Sequence, residues 1–142
     1  MDVAAILKNK GREVTTVAST TLLLEVAQKL AEKRIGAIVV MGADGTVAGI
    51  VSERDIIRRL AEKGADVLLS PVSAAMTRNV ISCTSTDTLD TLMSEMTTRR
   101  FRHLPVIENG RLVGIISIGD VVKHHIAEVE NEAMAMRAYI TQ

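Results

Sequence analysis

Two short stretches hold the residue types that could do chemistry. GIVSERD (49–55) and GIISIGD (114–120) each follow an apolar run and stand where a helix should begin. Each offers a hydroxyl three residues before a carboxylate, Ser52 with Asp55 and Ser117 with Asp120. A serine before a helix places its hydroxyl beside unsatisfied N–H groups, which suits phosphate. A carboxylate one turn on accepts hydrogen bonds but repels phosphate, so its fitting target is a neutral diol such as ribose. The same spacing is also an ordinary capping pattern, in which serine and acid satisfy the first N–H groups of their own helix. A duplicated motif weakens that second reading without removing it, because inherited capping would be duplicated too.

The elements that must position these pairs come as an internal repeat. In the first half a short helix (3–7) is ended by LKNKG, an extended run (14–17) follows, and Ser19 or Thr20 could cap the next helix. That helix carries Leu23, Val26, Ala27 and Leu30 on one face. Two β-branched runs (35–41 and 47–51) flank a GADG turn, and a helix from Glu53 would turn Ile56, Ile57, Leu60 and Ala61 inward before closing at Lys63 and Gly64. After a linker with Pro71, VSAAM answers VAAIL and NVISC answers EVTTV. The helix 88–98 repeats the apolar spacing with Leu89, Leu92, Met93 and Met96, and FRHLPVI answers the first strand. The turn at ENG is one residue shorter than its counterpart.

The spacing predicts an α+β fold of two β-α-β-β-α repeats. Each repeat alone would leave an apolar sheet face bare, so the two should pack sheet to sheet about a pseudo-twofold axis, with both motifs flanking one shared cleft. Residues 1–64 form the first repeat with its N-terminal helix, 65–126 the second, and 127–142 a helical extension, the repeats together making one compact module. In the extension Val121, Val122, His125, Ile126, Val129, Ala133 and Met136 continue an apolar stripe to about Tyr139. It should pack on a second subunit or fold back onto the module.

Composition narrows the functions. Lys+Arg 17 against Asp+Glu 17 leaves no net charge to draw nucleic acid or an anionic membrane, and 1% aromatic residues cannot build base-stacking platforms. The lone Cys83, with no CxxC or HExxH, offers no internal disulfide, metal centre or redox pair, and a reducing, cytoplasmic setting fits. No run is long enough to span a bilayer, and MDVAAILKNKG is no signal peptide. Cys83 should fill the core. His124 and His125 are neighbours pointing about 100° apart, so they cannot share a metal from one helix face and should pack at a surface or interface. Arg54, and Arg102 ahead of Arg99 and Arg100, could meet phosphate, although a charged run before a strand also reads as solvated surface. Strand alternation would put Arg102 and His103 on opposite faces.

The chain resembles a tandem pair of CBS domains, of the stand-alone bacterial and archaeal kind. VAAIL and VSAAMT match the family's lead-in, and RIGAIVVMGADGTVAGIVSERD and RFRHLPVIENGRLVGIISIGD match its core signature. The resemblance implies a regulatory module that binds AMP, ATP or NAD, and after these S-adenosylmethionine, between its repeats. It implies that Ser52, Asp55, Ser117 and Asp120 contact phosphate and ribose. It places the base near Thr16, Val17, Gly36, Ala37 and Ile38 in one half, and near Ser82, Cys83, His103, Leu104 and Pro105 in the other. Val39 stands where the second half has Pro105, a departure that removes a rigid φ and adds an N–H near the first pocket. The resemblance also implies a disc-like homodimer, formed through the central helices and the C-terminal helix, and a regulated protein partner. It requires no cofactor, metal or catalytic residue. Two alternatives stay open, a structural or interaction module with no physiological nucleotide and a weak nucleotide-processing enzyme.

Overall fold

The computed structural model describes residues 1–141. Its regular elements are α1 (Val3–Lys10), β1 (Thr16–Ala18), α2 (Leu23–Lys33), β2 (Ala37–Met41), β3 (Val47–Ser52), α3 (Glu53–Lys63), α4 (Leu89–Arg99), β4 (His103–Glu108), β5 (Arg111–Ser117) and α5 (Ile118–Thr141). Two 3-10 turns, Ala65–Leu69 and Val72–Ala74, lie between α3 and α4. The chain thus runs through two β-α-β-β-α repeats, the expected α+β architecture, with a long final helix.

The chain forms two compact units. One takes in Glu13–Ile81 with Asn109–Leu112, the other Met1–Arg12, Ser82–Glu108 and Val113 onward. These units differ from the sequence repeats, because each lead-in lies in the unit of the other half.

In the first unit the sheet order is β1-β2-β3. β1 runs parallel to β2 with Thr16 beside Val39, and β3 runs antiparallel with Ala37 opposite Ser52. β2 is buried along most of its length, so its β-branched residues read as a continuous apolar run rather than an alternating one. α2 lays Leu23, Val26 and Leu30 on this sheet, as the spacing predicts. Its N-terminus is different from expectation. Neither Ser19 nor Thr20 caps it; Leu22 holds the cap position without a side-chain bond. The linker's Ser70 O does the work instead, accepting from Leu23 N–H at 2.9 Å, and Val72 N–H ties the linker to Thr21 O at 2.7 Å. α3 buries Ile56 and partly Leu60, but Ile57 is 64% exposed and Ala61 is also exposed. A helix one residue further round turns its side chains away by about 100°, so only the i, i+4 pair meets the sheet.

In the second unit β4 pairs with β5, and the counterpart of β1 shrinks to one parallel bridge between Cys83 and Val106. Cys83 N–H donates to Pro105 O at 3.0 Å, and Ile107 N–H to Cys83 O at 2.9 Å. The turn between the strands carries Asn109 at φ 51° and Gly110 at φ 76°. Two positive φ values make the tight hairpin turn that Asn-Gly adopts with little strain. α1, capped by Asp2 through a 3.0 Å bond from Ala5 N–H, buries Val3, Ile6 and Leu7 in this unit. Its main chain is tied down by Val3 N–H to Asp87 O at 2.9 Å and Ala4 N–H to Ser85 O at 3.0 Å. Cys83 is buried in this unit, as its apolar setting suggested.

α5 departs from one expectation and narrows another to one of its two branches. His124 is buried rather than superficial, lying with Val121 on the inward face. The apolar stripe does not fold back: Val122, Ile126, Val129, Met136 and Tyr139 are 49 to 79% exposed, and residues 131–141 are exposed on all sides. Among the described residues no helix is long and apolar enough to cross a membrane.

Candidate functional site

Each Ser–Asp pair closes a strand and opens a helix, and each is a reciprocal capping box. Asp55 Oδ2 accepts from Ser52 N–H at 2.8 Å and from its hydroxyl at 3.1 Å, while Asp55 N–H donates back to Ser52 Oγ at 3.4 Å. At the second copy the distances are 2.8, 2.9 and 3.2 Å for Ser117 and Asp120. The next N–H is held in the same way in both: Glu53 N–H donates to Gly36 O at 3.1 Å, and Ile118 N–H to Arg102 O at 2.8 Å. Each junction is therefore stitched to the residue that leads into the neighbouring strand.

The glycine that opens each motif has a packing reason. A Cβ on Gly49 would stand 2.7 Å from Met76 Sδ and 2.8 Å from Thr77 O; one on Gly114 would stand 2.7 Å from Leu7 Cδ2. Met76 and Leu7 occupy the same place in VSAAM and VAAIL, so each lead-in presses its apolar side chain on the glycine of a motif.

The two copies differ in one cation. Lys10, at the end of α1, donates to Asp120 Oδ2 at 2.6 Å and to Ile115 O at 2.7 Å. In the first unit the matching carbonyl, Ile50 O, takes Thr77 N–H at 2.8 Å, and Asp55 has only the exposed Arg58 guanidinium 3.7 Å from Oδ1. Burial alone would raise the Asp120 carboxyl; the Lys10 and Ser117 hydrogen bonds outweigh it and hold the group below its usual range. Sequence reading missed Lys10, because the repeat aligns it with the uncharged Asn79.

The other expected site residues divide by unit. Thr16, Val17, Ala37 and Ile38 lie on β1 and β2 beside the Ser52 end, with Ala37 directly opposite Ser52. Val17, Ala37 and Ile38 are buried in the core. Arg54 is exposed on α3 and has no hydrogen bond or ion pair among the described residues. In the second unit Cys83, Leu104 and Pro105 are buried, His103 is half-buried, and Ser82 and Arg102 are exposed. Since β4 begins at His103, Arg102 precedes the strand and the alternation rule does not govern the pair. Arg102 instead lines an open groove of about 680 Å³ with Ile118, Gly119, Val122, Lys123 and Ile126. Arg99 is taken up by Glu95 at 3.2 Å. Arg100 ends α4 in the left-handed conformation at φ 58°, as Arg34 ends α2 at φ 54°.

The chemistry on offer is recognition. The junctions supply a carboxylate, a hydroxyl and helix-start N–H groups, and one adds an ammonium. Burial, with Asp87 and Glu108 nearby, pushes the Cys83 thiol up to about 12, so it is no nucleophile at neutral pH. Among the described residues no three His, Cys, Asp or Glu side chains are placed to hold a metal ion.

The family model described as CBS domain matches residues 5–62 and again 72–126. A CBS-domain containing protein from Agrobacterium tumefaciens, known as a crystal structure, is 52% identical and superposes with a TM-score of 0.84 over 86% of this chain and 91% of that one. A CBS domain protein from Pyrobaculum aerophilum, solved in complex with AMP, is 30% identical with a TM-score of 0.75, covering 84% of this chain and 89% of its own. The CBS domain pair of protein MJ0100, in complex with 5′-methylthioadenosine and S-adenosyl-L-methionine, is 25% identical with a TM-score of 0.78 over 88% and 99% of the two chains. Among curated relatives, CBS domain-containing proteins of Arabidopsis thaliana are 30% identical over 118 and 115 residues, and the chain spans about a fifth of their length, 22% and 21%.

Proposed function

Because this chain belongs to the CBS domain family, as a tandem pair of CBS repeats, we propose that it is a regulatory module that binds an adenine nucleotide. The observation that carries the reading is the twice-built Ser–Asp junction, in a family that includes a 30% identical protein solved with AMP. The carboxylates of Asp55 and Asp120 accept the ribose hydroxyls, while Ser52 and Ser117 with their helix-start N–H groups take phosphate. The main chain around Ala37 and His103 borders the base. AMP, ATP or NAD fit this chemistry, and S-adenosylmethionine after them. The module works by binding rather than by reaction, in a reducing cytoplasmic setting. A nucleotide that prefers one arrangement of the protein shifts its population, and a second copy or a regulated protein reads the shift.

One observation favours a second reading. Both carboxylates are already satisfied by their own serines, and Asp120 also by Lys10, which is what an interaction module with no nucleotide would need. Mass spectrometry of small molecules released from freshly purified, denatured protein, with thermal shifts against AMP, ADP, ATP, NAD and S-adenosylmethionine, separates the two. Release of an adenine compound, or a rise in Tm with one of them, supports the nucleotide module. No released compound and no shift across the panel supports the interaction module.

A further inference from the structure

The groove at the start of α5, about 680 Å³, is lined by Arg102, Ile118, Gly119, Val122, Lys123 and Ile126. Ile118, Val122 and Ile126 recur every four residues, so they line up along about 12 Å of the helix. They are 41, 49 and 52% exposed. Among the described residues the side chains of Arg102 and Lys123 are exposed and make no hydrogen bond or ion pair. No acid lines the groove. Two unpaired cations beside a row of aliphatic side chains ask for an occupant that is both apolar and acidic.

The first repeat does not supply the same lining. Where the second has Arg102, Ile118, Gly119 and Ile126, the first has Gly36, Glu53, Arg54 and Ala61. An acid thus replaces an isoleucine, and Arg58, in the place of Lys123, lies 3.7 Å from Asp55. The groove belongs to one junction rather than to the duplicated motif.

We propose that it docks an acidic amphipathic segment of a partner protein, laid along α5 as a helix in a groove. Apolar side chains of the segment cover Ile118, Val122 and Ile126, and its carboxylates meet the Arg102 fork and the Lys123 ammonium. Charge decides against the other occupants. A second copy seated on the same groove through a twofold axis would bring both copies of Arg102 and of Lys123 into one contact, with no carboxylate among the lining residues. An anionic membrane would meet Glu128, Glu130 and Glu132 in the turns of α5 that follow. Nucleic acid would find no aromatic ring in the lining to stack on. Docking here does not require a nucleotide, although Ile118 and Gly119 lie inside the Ser117–Asp120 junction, so a partner in the groove touches the same helix start.

The test follows the fluorescence anisotropy of two labelled synthetic peptides mixed with the intact chain. One carries leucines at gaps of three and four residues, flanked by glutamates; the other has lysine in place of every glutamate. The glutamate peptide should bind in the micromolar range and weaken as salt rises. Arg102→Glu with Lys123→Glu should weaken it about tenfold and make the lysine peptide the tighter ligand, a reversal that loss of folding could not give. Ile126→Ser should also weaken the glutamate peptide, and Arg137→Glu, towards the far end of α5, should not. Equal binding of the two peptides, binding untouched by the double reversal, or no binding at all overturns the proposal. So does either sign of another occupant: sedimentation with phosphatidylserine vesicles that the double reversal abolishes, or a dimeric mass in light scattering that it dissociates.

Discussion

Lys10 Nζ lies 2.6 Å from Asp120 Oδ2, an ion pair across 110 residues of sequence that the first repeat does not have. The ammonium also donates to Ile115 O, where the first unit uses a backbone N–H from Thr77. One side chain therefore does the fastening of a main-chain bridge and sets the charge beside the carboxylate proposed to hold ribose.

Lys10→Met should lower stability by about 1 kcal/mol, the upper range for a partly exposed pair. The sign with pH follows from Asp120. Its folded pKa is depressed, so the contribution is complete above the unfolded carboxylate's usual range near pH 4 and disappears as pH falls through the lower folded value. Urea unfolding at pH 7 should separate the two proteins, and they should converge in acid. A gap that stays constant down to pH 2 would assign the loss to packing rather than to the ion pair.

Much of this site could be read in the residues. Ser52, Asp55, Ser117 and Asp120 stand out because a capping box and a ligand site ask for the same residue types, and β2's β-branched run announces a buried strand. Lys10 could not be found that way. Its partners lie over a hundred residues off, and the repeat that makes the fold legible aligns it with Asn79. The exchange of lead-ins was hidden for a related reason: VAAIL and VSAAM are interchangeable by pattern, and only the close approach at Gly49 and Gly114 decides which packs where. Ile57 was misplaced because an amphipathic count cannot tell an inner face from the flank beside it.

Asp120→Ala should weaken AMP binding at the second junction by roughly 1.5 to 3 kcal/mol, the range of hydrogen bonds to a charged group. Asp55→Ala should do the same at the first. Each change also removes half of a capping box, so calorimetry belongs with a thermal scan showing that the variant is folded. A folded Asp120→Ala protein that binds AMP with unchanged affinity and stoichiometry would remove that carboxylate from the site.

Cys83 is buried, and its thiol is pushed up to about 12, so almost no thiolate forms at pH 8. Alkylation by iodoacetamide should proceed only as fast as the surrounding strand bridge opens. The rate should rise with urea through the unfolding transition. Rapid labelling in native buffer would mean that the Cys83–Val106 bridge is open for much of the time.

The two motif glycines should not respond alike to alanine. At Gly49 the new methyl meets Thr77 O, a backbone atom fixed in a bridge to Ile50, as well as Met76. At Gly114 its three nearest neighbours are all side-chain atoms of Leu7, Cδ2 at 2.7 Å, Cδ1 at 3.0 Å and Cγ at 3.4 Å, with no backbone atom among them. Gly49→Ala should therefore cost about 1 to 3 kcal/mol, the scale of overpacking, and Gly114→Ala less. Leu7→Ala should recover part of the Gly114→Ala loss in a double-mutant cycle, since it clears the space the methyl needs. Met76→Ala should recover less at Gly49, because the carbonyl of Thr77 remains in the way. Equal losses at the two glycines, with equal rescue, would mean that the lead-ins are held with the same freedom on both units.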